Sequence, residues 1–199
     1  MHDREYSLIL ASGSPQRKLL LEEAGYRFRV LVPDPGAECG VCSRESPGEM
    51  VARLARQKAA DVLSRLQTEP NGPPGGEILV ACDTVCECQG QVLGKPSNRE
   101  HARQMLRSLS GQEHRVYSGL CVWPLSAGER QVRVARTTLR MDPLDAAQIE
   151  DYLDSDLWEA KAGAFGYQDR AGWLHIVEGS ESNVVGLPLE LLAEMLAAV

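Results

Sequence analysis

Short apolar runs alternate with amphipathic stretches along this chain. The run at residues 7–11 is followed by a serine-glycine-serine-proline turn, which predicts a strand and then a helix with Ser14 as N-cap and Pro15 as first residue. We expect that helix to stop at Gly25, and residues 26–32 are predicted to form a second strand. The order strand, helix, strand is typical of the start of an α/β fold.

A longer amphipathic helix is predicted over residues 47–66, where apolar residues recur at a spacing of three to four. Lys58 interrupts this stripe, four residues after Leu54 and four before Val62. A lysine on a buried face is unfavourable unless its ammonium reaches water or an anion. The stripe alone leaves two interpretations open: a lysine that extends to solvent at the edge of the stripe, or an anion-binding residue.

The apolar run 78–82 predicts a buried strand that ends at Asp83, and Lys95 follows in a glycine-proline turn. In open α/β sheets, ligands bind beyond the carboxyl ends of strands, so a carboxylate there indicates phosphate and metal chemistry. The alternative is an aspartate that only caps a turn.

The second half of the chain mixes further strands and helices. We predict a turn at residues 89–91, a short strand that ends at Gly94, helices over 98–109, 145–152 and 188–198, and strands over 116–123, 131–141 and 173–177. A mixed α/β fold follows from this pattern.

Composition narrows the class of protein. Of 199 residues, 43% are hydrophobic and 25% are charged, with a formal net charge of -7. These values are typical of a globular protein with one domain, or with two small lobes around a cleft, and they disfavour a nucleic-acid-binding protein. We expect no membrane segment and no secretory signal, which makes the cytoplasm the default location.

Six cysteines raise the alternative of a zinc site. Cys39 and Cys42 form one pair and Cys86 and Cys88 another, but the spacing of the second pair is wrong for a zinc knuckle. Cys82, Cys86 and Cys88 alternate as small buried residues do in a strand, so we favour reduced thiols without a metal.

The turn after the first strand has the features of a phosphate site. Ser12, Ser14 and Arg17 place two hydroxyls, backbone amides and a basic side chain at a helix N-terminus, where anions bind most readily. The spacing of a Walker P-loop is absent here and around Lys95. Serines at such a turn also serve as helix caps alone, which is the structural alternative.

Seven short motifs follow one another along nearly the whole chain. They are Leu10-Ala11-Ser12-Gly13-Ser14-Pro15, Leu54-Ala55-Arg56-Gln57-Lys58-Ala59, Asp83-Thr84-Val85, Leu93-Gly94-Lys95-Pro96, Leu109-Ser110-Gly111-Gln112-Glu113-His114, Ala162-Gly163-Ala164-Phe165-Gly166-Tyr167-Gln168 and Asn183-Val184-Val185-Gly186-Leu187-Pro188. In this order and at these spacings the seven motifs resemble the Maf family of nucleotide pyrophosphatases.

The resemblance implies a hydrolase that cleaves nucleoside triphosphates between the α and β phosphates, giving a monophosphate and pyrophosphate. It implies a divalent metal cation as cofactor, Mg²⁺ first and Mn²⁺ or Co²⁺ as alternatives. The implied fold is a single α/β domain over residues 1–199, similar to inosine triphosphatases, with a twisted mixed sheet and a cleft between two lobes. The implied assembly is often a homodimer.

The resemblance also assigns site residues. Asp83 matches the catalytic carboxylate, which accepts a proton from the attacking water or holds the metal. Arg17, Lys58 and Lys95 match basic residues that neutralise phosphate oxygens. Glu38 is assigned to the site as a second metal ligand, although the segment from Asp34 is one residue longer than the family's acidic motif.

Three positions bear on the choice of base. Thr84 and Gln168 match the subfamily that acts on dTTP and UTP, whereas Gln16 stands where that subfamily has arginine. The open alternatives are a 7-methyl-GTP-type or broad-specificity enzyme and a non-catalytic nucleotide-binding module in growth control. A purine-specific relative of inosine triphosphatase is disfavoured by Thr84 and Gln168.

Overall fold

The computed structural model describes residues 7–38, 45–68, 76–126, 128–169 and 172–199. The chain divides into two compact units. The first unit contains Met1–Asp83, Ser118–Ala135 and Gly186–Val199, and the second contains Thr84–Tyr117 and Arg136–Val185. Within the described ranges, no helix is both long and apolar enough to cross a membrane.

Seven strands and six α-helices are found among the described residues. In chain order they are β1 (Ser7–Ala11), α1 (Pro15–Glu23), β2 (Arg27–Val30), α2 (Pro47–Thr68), β3 (Glu77–Cys88), β4 (Gln91–Leu93), α3 (Arg99–Leu109), β5 (Glu113–Pro124), β6 (Gln131–Met141), α4 (Ala146–Asp154), β7 (Leu174–Glu178), α5 (Glu181–Val185) and α6 (Leu189–Ala197). Two 3₁₀ turns, Ala162–Ala164 and Tyr167–Asp169, lie between α4 and β7.

The sheet is mixed, with strand order β2-β1-β3-β5-β6-β7 and with β4 paired to β3. In the first unit, β1 is parallel to both β2 and β3, and Ala11 lies beside Ala81. In the second unit, β4 is antiparallel to β3 and β7 is antiparallel to β6. The predicted mixed α/β class is confirmed.

The first unit has helices on both faces of its strands. Alternate residues of a strand point to opposite faces, so each strand contributes to two clusters. Ile9 and Leu79 pack with α2. On the opposite face of the strands, Leu10 and Val80 pack with α1 and α6. This three-layer arrangement is typical of α/β proteins.

The second unit has one apolar cluster. It is built on α3, α4 and β6, and it includes Phe165 and Trp173 from the segment after α4. Helix α4 begins with a reciprocal cap, in which Asp145 accepts from the Gln148 backbone N–H and the Gln148 side chain accepts from the Asp145 N–H. Tyr152 and Trp173 meet edge to face within this cluster.

The predicted end of one strand was wrong, and one short helix was not predicted. The strand that carries Asp83 does not end there, because β3 continues to Cys88 and pairs with β4 from Cys86 onwards. The short helix α5 was not predicted, since five residues are too few to show a helical period. The predicted N-cap Ser14 and first helical residue Pro15 are confirmed. Helix α1 ends at Glu23, just before the predicted stop at Gly25, which has a positive φ of 76°.

Candidate active site

Two predicted site residues lie in the same region of the sheet, one at the carboxyl end of β1 and one where the pairing of β3 with β1 stops. Ala11 and Ala81 are register partners in the parallel pair, Ser12 follows Ala11 directly, and Asp83 lies two residues beyond Ala81. Asp83 therefore lies where the β1 pairing stops, even though β3 itself continues. This is the edge at which ligands bind in open α/β sheets.

The turn from Ser12 to Arg17 is held by its own side chains. Ser12 Oγ accepts from the Ser14 backbone N–H at 3.2 Å, and Ser14 Oγ accepts from the Arg17 backbone N–H at 3.4 Å. Ser14 Oγ in turn donates to Gln16 Oε1 at 3.1 Å. Ser14 therefore caps α1, as the structural alternative requires, and Ser12 helps to fix the shape of the turn.

The guanidinium of Arg17 is fixed by two further contacts. Its Nε donates to the Gly186 carbonyl at 2.8 Å, and its Nη1 donates to Ser12 Oγ at 3.2 Å. Arg17 is thereby tied to the motif near the C-terminus and to the turn. A fixed guanidinium beside a helix N-terminus favours bound anions, because its charge adds to that of the helix dipole.

Lys58 lies between two carboxylates. Its Nζ donates to Asp83 Oδ1 at 2.5 Å and lies 3.0 Å from Glu38 Oε1. The side chains of Lys58 and Asp83 are each 11% exposed, and that of Glu38 is 44% exposed. The lysine that interrupts the apolar stripe of α2 therefore forms a largely buried ion pair with the carboxylate on β3.

The sequence folds this way because Asp83 continues the row of β3 side chains that faces α2. Leu79 and Ala81 belong to that row, and both pack in the cluster with α2. Gly119 on β5 allows α2 to approach closely, since a Cβ there would lie 2.2 Å from the Val51 carbonyl oxygen. This close approach brings the helix within reach of Asp83.

Asp83 and Glu38 fit a hard divalent cation. Both are carboxylates, the ligands that Mg²⁺ prefers, and one oxygen of each already contacts the same positive nitrogen. Among the described residues, no group of three or more histidine, cysteine, aspartate or glutamate side chains is arranged to hold a metal. A Mg²⁺ held by this pair would therefore complete its shell with phosphate and water oxygens.

Two predicted residues belong to the second unit and lie on exposed segments there. Lys95 follows β4 and makes no hydrogen bond or ion pair to another described residue, while Gln168 lies in the second 3₁₀ turn. A backbone hydrogen bond connects the turn that carries Lys95 with the motif that ends at Gln168: the Gly163 N–H donates to the Gly94 carbonyl at 3.0 Å. Thr84, on β3 next to Asp83, is half-buried and begins the second unit.

A buried ion pair beside Gln168 was missed from sequence. Lys161 Nζ donates to both carboxylate oxygens of Asp169, at 2.5 and 2.6 Å, and the Tyr152 hydroxyl donates to Asp169 Oδ2 at 2.5 Å. Burial, and then the Asp169 carboxylate, raise the pKa of Tyr152, so the phenol stays protonated.

Gly166 allows this cluster to form. A Cβ at Gly166 would lie 2.7 Å from Lys161 Nζ and from Asp169 Oδ2, and 2.9 Å from Gln168 Nε2. The sequence offered one signal for this pair: Lys161 directly precedes the run Ala162-Gly163-Ala164, and Asp169 directly follows Gln168.

The cysteines in the described part of the chain favour the metal-free interpretation. Cys82, Cys86, Cys88 and Cys121 are buried, and none of them forms a disulfide with another described residue. Burial raises the pKa of the Cys121 thiol to about 11, and burial also raises the pKa of Cys86 and Cys88. Thiols are poor metal ligands until they are deprotonated. The other cysteines of the predicted alternative, at positions 39 and 42, lie outside the described residues.

Comparisons with known proteins agree with these motifs. The chain is 52% identical to a dTTP/UTP pyrophosphatase of Rhodopirellula baltica, over 96% of this chain and 81% of that protein. It is 38% identical to a dTTP/UTP pyrophosphatase of Pelotomaculum thermopropionicum, over 95% and 94% of the two chains. A solved HAM1 protein of Coxiella burnetii superposes with a TM-score of 0.46 at 14% identity, covering 98% of this chain and all of that one. A family model described as Maf-like protein matches residues 7–199, and the chain belongs to that family.

Proposed function

We propose that this protein hydrolyses nucleoside triphosphates, pyrimidine triphosphates such as dTTP and UTP first, to the monophosphate and pyrophosphate. The observation that carries the proposal is the Lys58 ammonium between Asp83 and Glu38, at the sheet edge that also bears the Ser12 turn. The names of the two relatives above support the same substrate class.

In this proposal Asp83 is the catalytic carboxylate. Its Oδ1 accepts from Lys58, and its other oxygen makes no hydrogen bond to another described residue. That second oxygen is placed to accept a proton from a water that attacks the α-phosphorus, with pyrophosphate as the leaving group.

The phosphate chain is assigned to the cationic residues. Arg17 and the backbone N–H groups of the turn from Ser12 to Ser14 bind phosphate oxygens, and Lys58 neutralises negative charge that moves onto the leaving group. Lys95 is assigned to phosphate binding on the family resemblance alone. If Mg²⁺ binds, Asp83 and Glu38 are the residues that would hold it, and it would supply further positive charge against the phosphate oxygens.

We assign the choice of base to Gln16, Thr84 and Gln168. Gln16 is held by Ser14, and Gln168 lies beside the ion pair of Lys161 and Asp169, so both amides have defined surroundings. An amide offers a donor and an acceptor, which suits recognition of a base edge. Because Gln16 lacks the fixed charge of arginine, we expect broader base selectivity than that of an arginine-bearing subfamily member.

We further propose that residues 1–199 work as a single domain, and the family match over residues 7–199 supports this proposal. We also propose a cytoplasmic location, which is the default expected from the sequence, and a homodimer, which the family resemblance implies. Light scattering of the purified protein tests the dimer: a mass near twice 21.8 kDa is expected, and a monomer would contradict it.

A panel of nucleotides with Mg²⁺ tests the proposed reaction. We expect UTP or dTTP to yield equal amounts of monophosphate and pyrophosphate, with activity lost on chelation of the metal. Release of orthophosphate would contradict the proposal. If 7-methyl-GTP is the preferred substrate, the protein is an enzyme of the 7-methyl-GTP type. Tight nucleotide binding without turnover would favour the non-catalytic nucleotide-binding module.

A further inference from the structure

The segment that carries Glu38 is fastened to α2 at two points besides Glu38 itself. Asp61 Oδ2 accepts from the Asp34 backbone N–H at 3.0 Å. Arg65 Nη1 donates to the Val32 carbonyl at 2.8 Å and lies 3.4 Å from Asp34 Oδ1. The segment of residues 31–38 that follows β2, which we call the acidic loop, is therefore held against one helix.

Three residues of α2 make these contacts from the same side of the helix. Lys58, Asp61 and Arg65 stand at positions i, i+3 and i+7, which lie above one another on an α-helix. Along the acidic loop their partners follow in the opposite order, from Val32 to Asp34 to Glu38. Helix and loop thus run side by side, and each contact fixes the position of the next.

A reverse turn completes the path of the loop. The Ala37 N–H donates to the Asp34 carbonyl at 2.9 Å, which closes a turn through Pro35 and Gly36. This turn accommodates the extra residue between Asp34 and Glu38. Because the turn begins at Asp34, the residue that Asp61 and Arg65 hold, its orientation depends on those two side chains.

The contact of Glu38 with Lys58 is weak by itself. Glu38 is nearly half exposed, and exposed ion pairs contribute little because water competes for both charges. Asp61 is 19% exposed and accepts from a backbone N–H, which is a more restrictive geometry. The fixed part of the loop is therefore at Asp34, and Glu38 is carried into place from there.

We propose that Asp61 and Arg65 are positioning residues that hold Glu38 against Lys58 and Asp83. The effect on turnover rests on the proposed function, since it assigns Glu38 to the reaction. The hold on the loop itself does not depend on any activity. Neither residue touches the reacting atoms, and both act through the acidic loop.

Two measurements on the full chain test this proposal. Hydrogen exchange of peptides covering residues 31–38 is expected to become at least about threefold faster in Asp61→Ala and in Arg65→Ala. In Asp61→Asn, which keeps an acceptor for the Asp34 N–H, exchange stays at the wild-type rate. For the best substrate, Asp61→Ala lowers kcat about 3- to 10-fold with KM within about twofold, and Asp61→Asn restores kcat.

A double substitution separates positioning from a general structural role. In the Glu38→Ala background, Asp61→Ala is expected to have no further effect on kcat, because the residue it positions is gone. The matched control is Glu22→Ala, which removes an exposed i,i+4 pair of the same 3.6 Å length on α1 and leaves kcat and loop exchange unchanged.

The outcomes are distinguishable. If hydrogen exchange in the acidic loop is unchanged in both Asp61→Ala and Arg65→Ala, these residues do not hold the loop. This conclusion applies whether or not the protein is an enzyme. Faster hydrogen exchange with unchanged kcat would overturn the positioning role. The same would follow if Asp61→Ala lowered kcat equally in the wild-type and in the Glu38→Ala background. A wild-type protein that hydrolyses none of the nucleotides contradicts the proposed function and the effect on turnover, while exchange still decides the hold on the loop.

Discussion

Replacement of Lys58 by methionine tests the ion pair at the centre of the site. Methionine keeps much of the apolar length of the lysine stem, so packing in the α2 stripe is largely preserved and the loss is mainly that of the charge. The change leaves Asp83 without its partner at 11% side-chain exposure. Breaking a pair this buried costs about 3 kcal/mol of the free energy of unfolding. The partner Glu38 adds less than about 1 kcal/mol, since it is 44% exposed.

The effect on turnover is expected to be larger than the effect on folding. Loss of one preorganised cation at a site of developing charge lowers kcat by about 10²- to 10³-fold. Urea denaturation gives the stability, and pyrophosphate release at a temperature where the variant is fully folded gives kcat. Lys18→Met on α1 is the control, because Lys18 forms an exposed pair with Glu22. A kcat of Lys58→Met within threefold of wild type would refute the catalytic assignment, and unchanged stability would refute the buried pair.

Three other predictions follow from local features. Gly119→Ala should destabilise the fold by about 3 kcal/mol in urea denaturation, because its Cβ would meet the Val51 carbonyl at 2.2 Å; a loss under about 1 kcal/mol would contradict that close approach. Burial lowers the pKa of His114 from 6.5 to about 4. The folded state therefore resists protonation of this ring, and about 3 kcal/mol of the free energy of unfolding, fully present above pH 6.5, is lost as pH falls to 4. His114→Leu should remove that part of the pH dependence of stability, and an unchanged slope would show that His114 is not buried as a neutral ring. Gln16→Arg should raise kcat/KM for UTP relative to 7-methyl-GTP several-fold, and an unchanged ratio would count against the role of Gln16 in base choice.

The features that were predictable from sequence have local causes. The start of α1 follows from Ser14 and Pro15, because a cap and a proline act within one turn of the helix. Lys58 was singled out because the helical period shows which positions face the core. The same period could not say which anion the lysine meets, since Asp83 is 25 residues away in sequence.

The extent of β3 shows why strand ends are harder to predict. The apolar run stops before Asp83, and that change of composition predicts the end of the strand there. The extent of the strand is set by backbone pairing instead. β3 pairs with β1 as far as Ala81 and with β4 from Cys86 onwards. Asp83 lies between these two pairings, so it occupies the expected edge without being the last residue of its strand.

Residues that act at a distance were not visible in the sequence. Asp61 and Arg65 look like an exposed i,i+4 pair on a helix, and nothing local indicates that they contact the acidic loop. Lys161 and Asp169 likewise form a buried pair only because Gly166 leaves space between them. Such contacts depend on how separate segments pack together, which periodicity does not encode.

The central claim is that Asp83 catalyses attack at the α-phosphorus, and hydrolysis in ¹⁸O-labelled water measures this most directly. With UTP and Mg²⁺, the account predicts that the label enters UMP and is absent from pyrophosphate. Asp83→Asn, matched in size and folded by circular dichroism, should lower kcat at least about 10³-fold. Label in pyrophosphate, or an Asp83→Asn variant with wild-type turnover, would contradict the account.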